Sequence, residues 1–561
     1  MTEKTRPIML TNGAVPWPED LAAEYTRRGW WRGQSLGSEL WASADSHAES
    51  IAVIDGDIQL TYSSLTARAD ELATQMVDAL GLTHGDRIVV QLDNCWQFAV
   101  LTLACLRAGI IPVMALPAHR HHELAHLVQT SEAVALVVPA ETRGFDHQAM
   151  ADEISKSCET LRTVMVVASD TTSIRRGYID LTALCVESPD ADRQKARWDA
   201  NPPNSREVAV LLLSGGTTGL PKLIARTHDD YSYNVRAAID ISGLNETSVY
   251  LAALPASHNF SLACPGMLGA LLVGGRLVMS HSSKPDEVFP LIRSMGVTHT
   301  AVVPAVVQRW LAYATEVGAD DLNSLRVVQV GGARIANEVA RQIRPILGAT
   351  LQQAFGMAEG LCNFTRLDDP EEVICETQGR PISPGDEIRI VNELDEDVPP
   401  GELGVLLTRG PYTPRGYYRA AEHNAISFTS DGWYRSGDIV YLRPDGNLVV
   451  AGRDKDMINR GGEKVSAEEV ENVIYRLATV AQVAAVAMPD ADLGERLCVY
   501  IVPREGSRVT MEDVLATMRG AGVAKYKWPE RVELVQELPT TKVGKIDKKA
   551  LREAARKLSR D

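Results

Sequence analysis

Residues that would mark a disulfide-bonded, metal-clustered or membrane-spanning chain are scarce here. The 561 residues include only 8 cysteines (Cys95, Cys105, Cys158, Cys185, Cys264, Cys362, Cys375 and Cys498), scattered and without a Cys-x-x-Cys pair. That excludes a disulfide framework or a zinc knuckle and suits a reducing compartment. No uninterrupted apolar run approaches the ~20 residues that a spanning helix needs. The stretch Met1–Asp20 carries charges and prolines but no apolar core, so no signal peptide is expected. Positive charge is the scarcer sign, with 57 Lys and Arg against 73 Asp and Glu, a net charge of −16. This argues against a general nucleic-acid binder and against attraction to an anionic membrane, while leaving room for a local basic pocket. Gly-x-Ser-x-Gly and Gly-x-Gly-x-x-Gly are also missing, so hydrolase and dinucleotide readings lack their motifs. The expectation is a soluble cytoplasmic protein with neither nucleic-acid nor membrane partners.

What is present is ordinary in bulk: 45% hydrophobic and 23% charged residues. The length exceeds one core, so two to four domains are expected. From Ala52 the pattern alternates. Ile58–Tyr62, Arg87–Leu92, Ile111–Leu116 and Ala133–Val138 read as strands, and Ser63–Leu80 and Cys95–Ala108 as helices. Further strands are predicted at Val249–Leu254, Arg276–Met279, Thr300–Val303 and Arg326–Val330. Such alternation implies βαβ units in doubly wound α/β layers, two of them in the first 350 residues. Residues 1–48 show little periodicity. From about Gly379 short apolar runs (Glu387–Val391, Gly404–Thr408) punctuated by Pro-Gly and Asp-Gly favour a small antiparallel β-barrel over about 379–452. A boundary is expected at 453–456. Beyond it, 457–561 read as a small α+β domain: helix Ser466–Leu477, strands Val483–Met488 and Leu497–Val502, helix Thr510–Gly520, strand Arg531–Leu534 and a basic tail.

The chain's most informative stretch is Leu211-Leu212-Leu213-Ser214-Gly215-Gly216-Thr217-Thr218-Gly219-Leu220-Pro221-Lys222. A buried strand runs into a loop that concentrates three glycines, three hydroxyls and a lysine. Inward-turned N–H groups, hydroxyl donors and one cation suit phosphate, although a plain surface turn has the same composition. It is not the usual P-loop, because Leu220 and Pro221 separate Gly219 from Lys222. A second pattern, His122-Glu123-Leu124-Ala125-His126, matches a zinc-helix motif but lacks a third ligand and reads as a solvated helix face. Four more stretches follow in order: Gln353-Ala354-Phe355-Gly356-Met357-Ala358-Glu359, Tyr434-Arg435-Ser436-Gly437-Asp438, Gly452-Arg453-Asp454-Lys455-Asp456 and Pro539-Thr540-Thr541-Lys542-Val543-Gly544-Lys545. Each has a bland reading alone; five in this order and spacing do not arise by chance.

Together they resemble the adenylate-forming superfamily of acyl-CoA ligases, peptide-synthetase adenylation domains and luciferases, over about Tyr25 to Lys549. The resemblance implies a core of 1–452, a hinge at 453–456 with Lys455 as its pivot, and a mobile C-terminal domain of 457–561. It implies that Ser214, Gly215, Gly216, Thr217, Thr218, Gly219 and Lys222 bind the phosphates of ATP and that Glu359 holds Mg²⁺. Gly331, Gly332, Ala333, Gly356 and Met357 are then expected at the nucleotide, Asp438 and Arg453 at its ribose, and Lys545 as the catalytic lysine.

The segment Leu254–Gly266 is similar to the aryl-acid-activating branch that primes siderophore synthesis. By that likeness His258, Asn259, Phe260, Cys264, Gly332 and Leu361 line the acid site, and Asn259 reads an ortho-hydroxyl. Cys at 264 is expected to favour salicylate, and Ser there 2,3-dihydroxybenzoate, because a thiol is a weak donor that tolerates a bare C–H. No carrier segment follows Lys545. The thiol acceptor is therefore expected to be a separate phosphopantetheinylated aryl carrier protein, or coenzyme A.

Overall fold

The computed structural model describes residues 13–214, 220–460, 463–490, 493–541 and 544–558. Two predominantly parallel sheets form the bulk of it. One has nine strands, in the order Arg380–Pro381, Cys362–Phe364, Thr350–Gly356, Val327–Gly331, His299–Val302, Val249–Ala252, Arg276–Met279, Ile51–Asp55 and Ile58–Thr61. The other has seven, from Leu223–Thr227 and Val208–Leu213 through Ile111–Met114, Arg87–Val90, Ala135–Pro139 and Thr163–Val167 to Ile179–Asp180. The chain does not complete one layer before starting the next: Ile51–Asp55 pairs parallel with Arg276–Met279, more than 200 positions on. Helix Trp96–Ala108 is buried over almost its whole circumference and ends on left-handed Gly109. An all-round apolar helix is what such a buried position requires.

Residues 387–453 form a four-stranded antiparallel sheet, Glu387–Val391, Gly404–Arg409, Tyr434–Leu442 and Leu448–Arg453, paired in chain order. Among the described residues no pairing joins its first strand to its last. The C-terminal unit centres on Gly494–Pro503, which pairs antiparallel with Val480–Asp490 and parallel with Arg531–Leu534. No helix among the described residues is long and apolar enough to cross a membrane.

Two expectations need correction. Residues 1–48 contain two helices, Glu19–Arg27 and Leu36–Ser46, the second capped by the Ser35 side chain. Trp17, Tyr25 and Trp31 pack edge to face at 5.1–5.9 Å, and distant carbonyls tie the segment down, Pro411 accepting from Trp31 Nε1 and Leu271 from the Ser43 hydroxyl, each at 3.0 Å, which periodicity does not register. The basic tail is a helix, Lys548–Leu558, whose Leu551 and Ala555 are buried, whose Lys548 and Arg552 pair inward with Glu468, Glu471 and Asp456, and whose Lys549, Arg556 and Lys557 are exposed. The strand Val208–Leu213 forms as expected. It turns back as an antiparallel hairpin with Leu223–Thr227, and Ser214 and Lys222 close the neck, their backbones bonded at 2.9 Å and the Lys222 N–H donating to Ser214 Oγ at 3.0 Å.

That hairpin runs into helix His228–Ser242 through a capping box: Thr227 N–H and hydroxyl donate to Asp230 Oδ2, each at 2.7 Å, and Asp230 N–H returns a bond to Thr227 Oγ1. Asp230 Oδ1 accepts from Arg226 Nε at 2.6 Å, and both side chains are fully buried. Removing one member strands a buried charge, which costs about 3–5 kcal/mol. Asp230→Ala is therefore expected to lower the thermal midpoint of the core by several degrees in a calorimetric scan; an unchanged midpoint would show that the pair carries no structural weight.

Candidate functional site

Several chain segments come together beyond the C-terminal end of strand Val327–Gly331. Strand Val327–Gly331 ends in Gly331-Gly332-Ala333, of which Gly332 and Ala333 are exposed. A Cβ on Gly331 would lie 2.6 Å from the Ala354 carbonyl and 3.0 Å from the Phe260 ring. Gly332 has φ +79°, and a Cβ there would meet Lys545 Cε at 3.2 Å. The two glycines thus admit an aromatic ring on one side and the lysine of the small domain on the other. Lys545 is presented by a tight turn in which its N–H donates to Thr541 Oγ1 (3.2 Å) and Gly544 N–H to the Thr541 carbonyl (2.9 Å). Burial, with Arg453 nearby, pushes the Lys545 ammonium down to about 8, against the opposing pull of Asp438.

Asp438 and Arg453 face each other across adjacent strands. Arg453 Nε donates to Asp438 Oδ1 at 2.7 Å and its guanidinium also reaches the Ser436 carbonyl. Asp438 is buried, and its second oxygen, Oδ2, has no partner. Burial raises its carboxyl to about 6. A buried, unsatisfied acceptor beside a guanidinium fits a ligand that brings hydroxyl donors.

Glu359 follows the turn after strand Thr350–Gly356, where Met357 N–H donates to the Leu361 carbonyl. It is buried, and Oε1 accepts the Tyr417 phenol at 2.8 Å; Tyr417 in turn meets Tyr434 at 3.1 Å. Lys222 Nζ stands 5.0 Å over the Tyr417 ring, which brings the neck of the glycine hairpin beside Glu359. Gly215, Gly216, Thr217, Thr218 and Gly219, and the Lys455 side chain, lie outside the described residues. No cluster of three or more His, Cys, Asp or Glu side chains exists among the described residues. One held carboxylate beside an expected phosphate cradle fits Mg²⁺, which takes one or two carboxylates and completes its shell with phosphate and water oxygens.

On the other side of Phe260 lies helix Asn259–Ala263. The Asn259 carbonyl oxygen accepts the Tyr231 phenol at 2.9 Å, and its Nδ2 donates to Cys264 Sγ at 3.6 Å. Cys264 Sγ is 4.0 Å from Cys362 Sγ. His258 Nδ1 accepts the Phe260 N–H at 3.2 Å, so the neutral ring carries its proton on Nε2. Burial and the nearby Lys545 push its imidazole down to about 4, which keeps it neutral. Leu361 departs from expectation. Its side chain packs with Leu406, Val440, Leu448 and Val450 under the antiparallel sheet. Cys362, its neighbour of opposite facing, meets Cys264 instead and pairs in register with Gly356. Sequence reasoning missed Tyr231, Tyr417 and Cys362. Only Cys362 sits near a stretch singled out from the sequence, three positions after Glu359, and nothing local marks the other two.

A model of the AMP-binding enzyme family matches residues 40–418, and one of the AMP-binding enzyme C-terminal domain matches residues 469–545. The chain belongs to the AMP-binding enzyme family. Within that family it is 55% identical over 548 residues, 98% of each chain, to a salicylyl-CoA synthase / salicylate adenylyltransferase of a Streptomyces species. It is 48% identical to the 2,3-dihydroxybenzoate-AMP ligase of Bacillus subtilis, covering 97% of this chain and 98% of the other. Among solved structures, the apo form of Mycobacterium smegmatis MbtA is 44% identical with a TM-score of 0.72, covering 96% of this chain and 98% of that one. The clustered histidines belong to none of this. Glu123 caps its own helix by accepting the Arg120 N–H, and His126 Nε2 is 3.1 Å from the Pro221 carbonyl.

If Asp438 takes ribose hydroxyls, Asp438→Asn removes a charge-assisted acceptor worth roughly 1.5–3 kcal/mol. ATP binding measured by calorimetry is expected to weaken by about tenfold or more. Wild-type affinity is expected to fall as pH drops through about 6, where the carboxylate gains its proton. An affinity indifferent to both changes would remove Asp438 from the nucleotide site.

Proposed function

We propose that this chain activates a 2-hydroxylated aryl acid, salicylate before 2,3-dihydroxybenzoate, as its adenylate and then passes the acyl group to the phosphopantetheine thiol of a separate aryl carrier protein. The observation that carries the reading is the juxtaposition at Phe260. On one side stands an amide paired with a thiol, Asn259 and Cys264; on the other, Gly332 with Lys545 against it. The amide can meet an ortho oxygen, the thiol can tolerate a bare ring carbon beside it, and the ammonium lies towards the reacting end.

In the first half-reaction the carboxylate oxygen bonds to the α-phosphorus as the bond from that phosphorus to the pyrophosphate oxygen breaks. Two anions must meet, so the barrier is largely electrostatic and needs no side-chain nucleophile or general base. Lys545 holds charge developing at the α-phosphate. Neutral His258 offers its Nε2–H to an oxygen of the reactants. Asp438 and Arg453 fix the ribose, and Lys222, with Ser214, the outer phosphates. Glu359, anchored by Tyr417, would hold Mg²⁺, which when bound supplies charge neutralisation at the phosphates. In the second half-reaction the thiol sulfur bonds to the acyl carbon, AMP leaves, and the thiol proton goes to solvent. The small domain swings on 453–456 between the two, which withdraws Lys545.

ATP–pyrophosphate exchange with salicylate, 2,3-dihydroxybenzoate, benzoate, 3-hydroxybenzoate, anthranilate and several amino acids tests this. Strongest exchange with salicylate is expected. Preference for 2,3-dihydroxybenzoate would overturn the role of Cys264, and silence with every aryl acid would overturn the acid site altogether. Transfer from purified adenylate to holo carrier protein but not to free coenzyme A is expected; efficient discharge by coenzyme A would make the chain an aryl-CoA ligase.

Lys545→Ala is expected to lower exchange by about 10²–10³-fold, the scale of losing one preorganised donor, while thiol transfer from preformed adenylate persists. The ammonium is the useful form and the Lys545 pKa lies at about 8 rather than the usual 10.5. Wild-type kcat/KM for exchange, which reports the free enzyme, is therefore expected to fall as pH rises past about 8. A rate flat to pH 10, or an unimpaired alanine variant, would remove Lys545 from the chemistry.

A further inference from the structure

Tyr231 belongs to no motif, yet it holds the group on which the acid preference turns. Its phenol is fully buried on helix His228–Ser242 and donates to Asn259 Oδ1 at 2.9 Å. Burial holds the phenol well above 10, so it remains an O–H donor. Its ring lies against the guanidinium of Arg226, 4.9 Å from the ring centroid. Arg226 is itself fixed by Asp230 and by the Ala358 carbonyl at 3.3 Å. Three residues along the same helix, Asn234 Nδ2 donates to the Ala263 carbonyl at 2.8 Å. The helix thus grips the short Asn259–Ala263 helix at both ends, and the ring of Tyr231 cannot turn away.

An amide offers acceptor and donor ends of nearly equal shape, and either can face a ligand unless a third group decides. Here the decision is made. The oxygen end is engaged by the phenol, and of the two N–H donors at the other end one is directed at Cys264. What remains for a ligand on the nitrogen side is an N–H. We infer that Tyr231 is a positioning residue that fixes the Asn259 amide with its donor end towards the acid and thereby sets the preference for an ortho oxygen over an ortho amine. A phenolic oxygen accepts that N–H. An aniline nitrogen, its lone pair drawn into the ring, offers donors against a donor. Without Tyr231 the amide can rotate and serve either.

This rests on the aryl-acid reading above, and the test separates the two. Exchange kinetics are measured for wild type, Tyr231→Phe, Asn259→Ala and the double variant with salicylate, anthranilate and benzoate. Wild type is expected to favour salicylate strongly. In Tyr231→Phe the salicylate-to-anthranilate ratio of kcat/KM is expected to fall by about tenfold, the scale of one mis-set buried hydrogen bond, mainly through KM. In the Asn259→Ala background Tyr231→Phe is expected to leave the ratio where it was. A Tyr231→Phe enzyme that loses activity with all three acids in proportion, keeping the ratio, overturns the inference and leaves a packing residue. Wild type silent with every aryl acid overturns the inference and the reading beneath it together. Asn259→Asp provides a second arm should Tyr231→Phe not fold: it keeps an acceptor for the phenol and removes the N–H. It is expected to reverse the preference towards anthranilate, and retention of the salicylate preference would overturn the inference.

Discussion

The buried pair Arg226–Asp230 is the interaction on which the candidate site depends. Two charges sealed in the core stabilise little in net terms, since an apolar substitute of equal volume often does as well. What this pair supplies is position. Asp230 closes the capping box that starts helix His228–Ser242 directly after the glycine hairpin. Arg226 reaches the carbonyl of Ala358, one residue before Glu359, and lies against Tyr231, which holds Asn259. The neck of the glycine hairpin, the candidate metal carboxylate and the Asn259 amide are therefore referred to one rigid point. A reaction governed by where charges stand gains more from shared reference than from any single contact.

The same logic sets the small domain. Lys545 reaches Gly332 only while the C-terminal unit sits as it does here. That orientation is fastened by modest bonds: Gln308 to the Tyr475 phenol at 3.3 Å and Asn337 N–H to Asn472 Oδ1 at 3.1 Å. Within the C-terminal unit the fastening is heavier. Lys548 is held by Glu468 and Glu471 at 3.2 and 2.8 Å, and Arg552 pairs with Asp456 at the hinge turn. The buried Ser466 hydroxyl also donates to the Ala451 carbonyl across the boundary, and ties inside the unit are what a body needs if it is to swing whole.

Much of this was legible in the sequence, for an identifiable reason. Alternating strands and helices carry their period locally, so Arg276–Met279, Glu387–Val391 and Arg531–Leu534 fall where expected, and glycine-rich turns announce themselves by composition. What could not be read is what depends on distant partners. The two N-terminal helices are tied to Pro411 and Leu271 far along the chain, and Ile51–Asp55 joins a sheet whose strands, apart from Ile58–Thr61, lie beyond residue 248. The hairpin return after Leu213 follows from tertiary pairing with no local signature. Leu361 and Cys362 exchange roles because adjacent residues face opposite ways, and a motif gives their order without their facing.

Selectivity is the hardest of these to read, because it resides in a hydrogen bond's direction. The residues proposed to hold phosphate would meet atoms of the nucleotide and not of the acid, so they cannot tell one acid from another. Discrimination falls to the few polar atoms near the ring, where an unpaired group costs about 1–3 kcal/mol. The residue type at 259 states only that both a donor and an acceptor are available. Under the proposed reading, which one the ligand meets depends on a phenol 28 positions earlier in the chain, on a helix anchored by a buried charge pair. Two enzymes with the same Asn and Cys could therefore differ in preference if that phenol were absent from one. The identity of the acid is written in how the amide is held as much as in its presence.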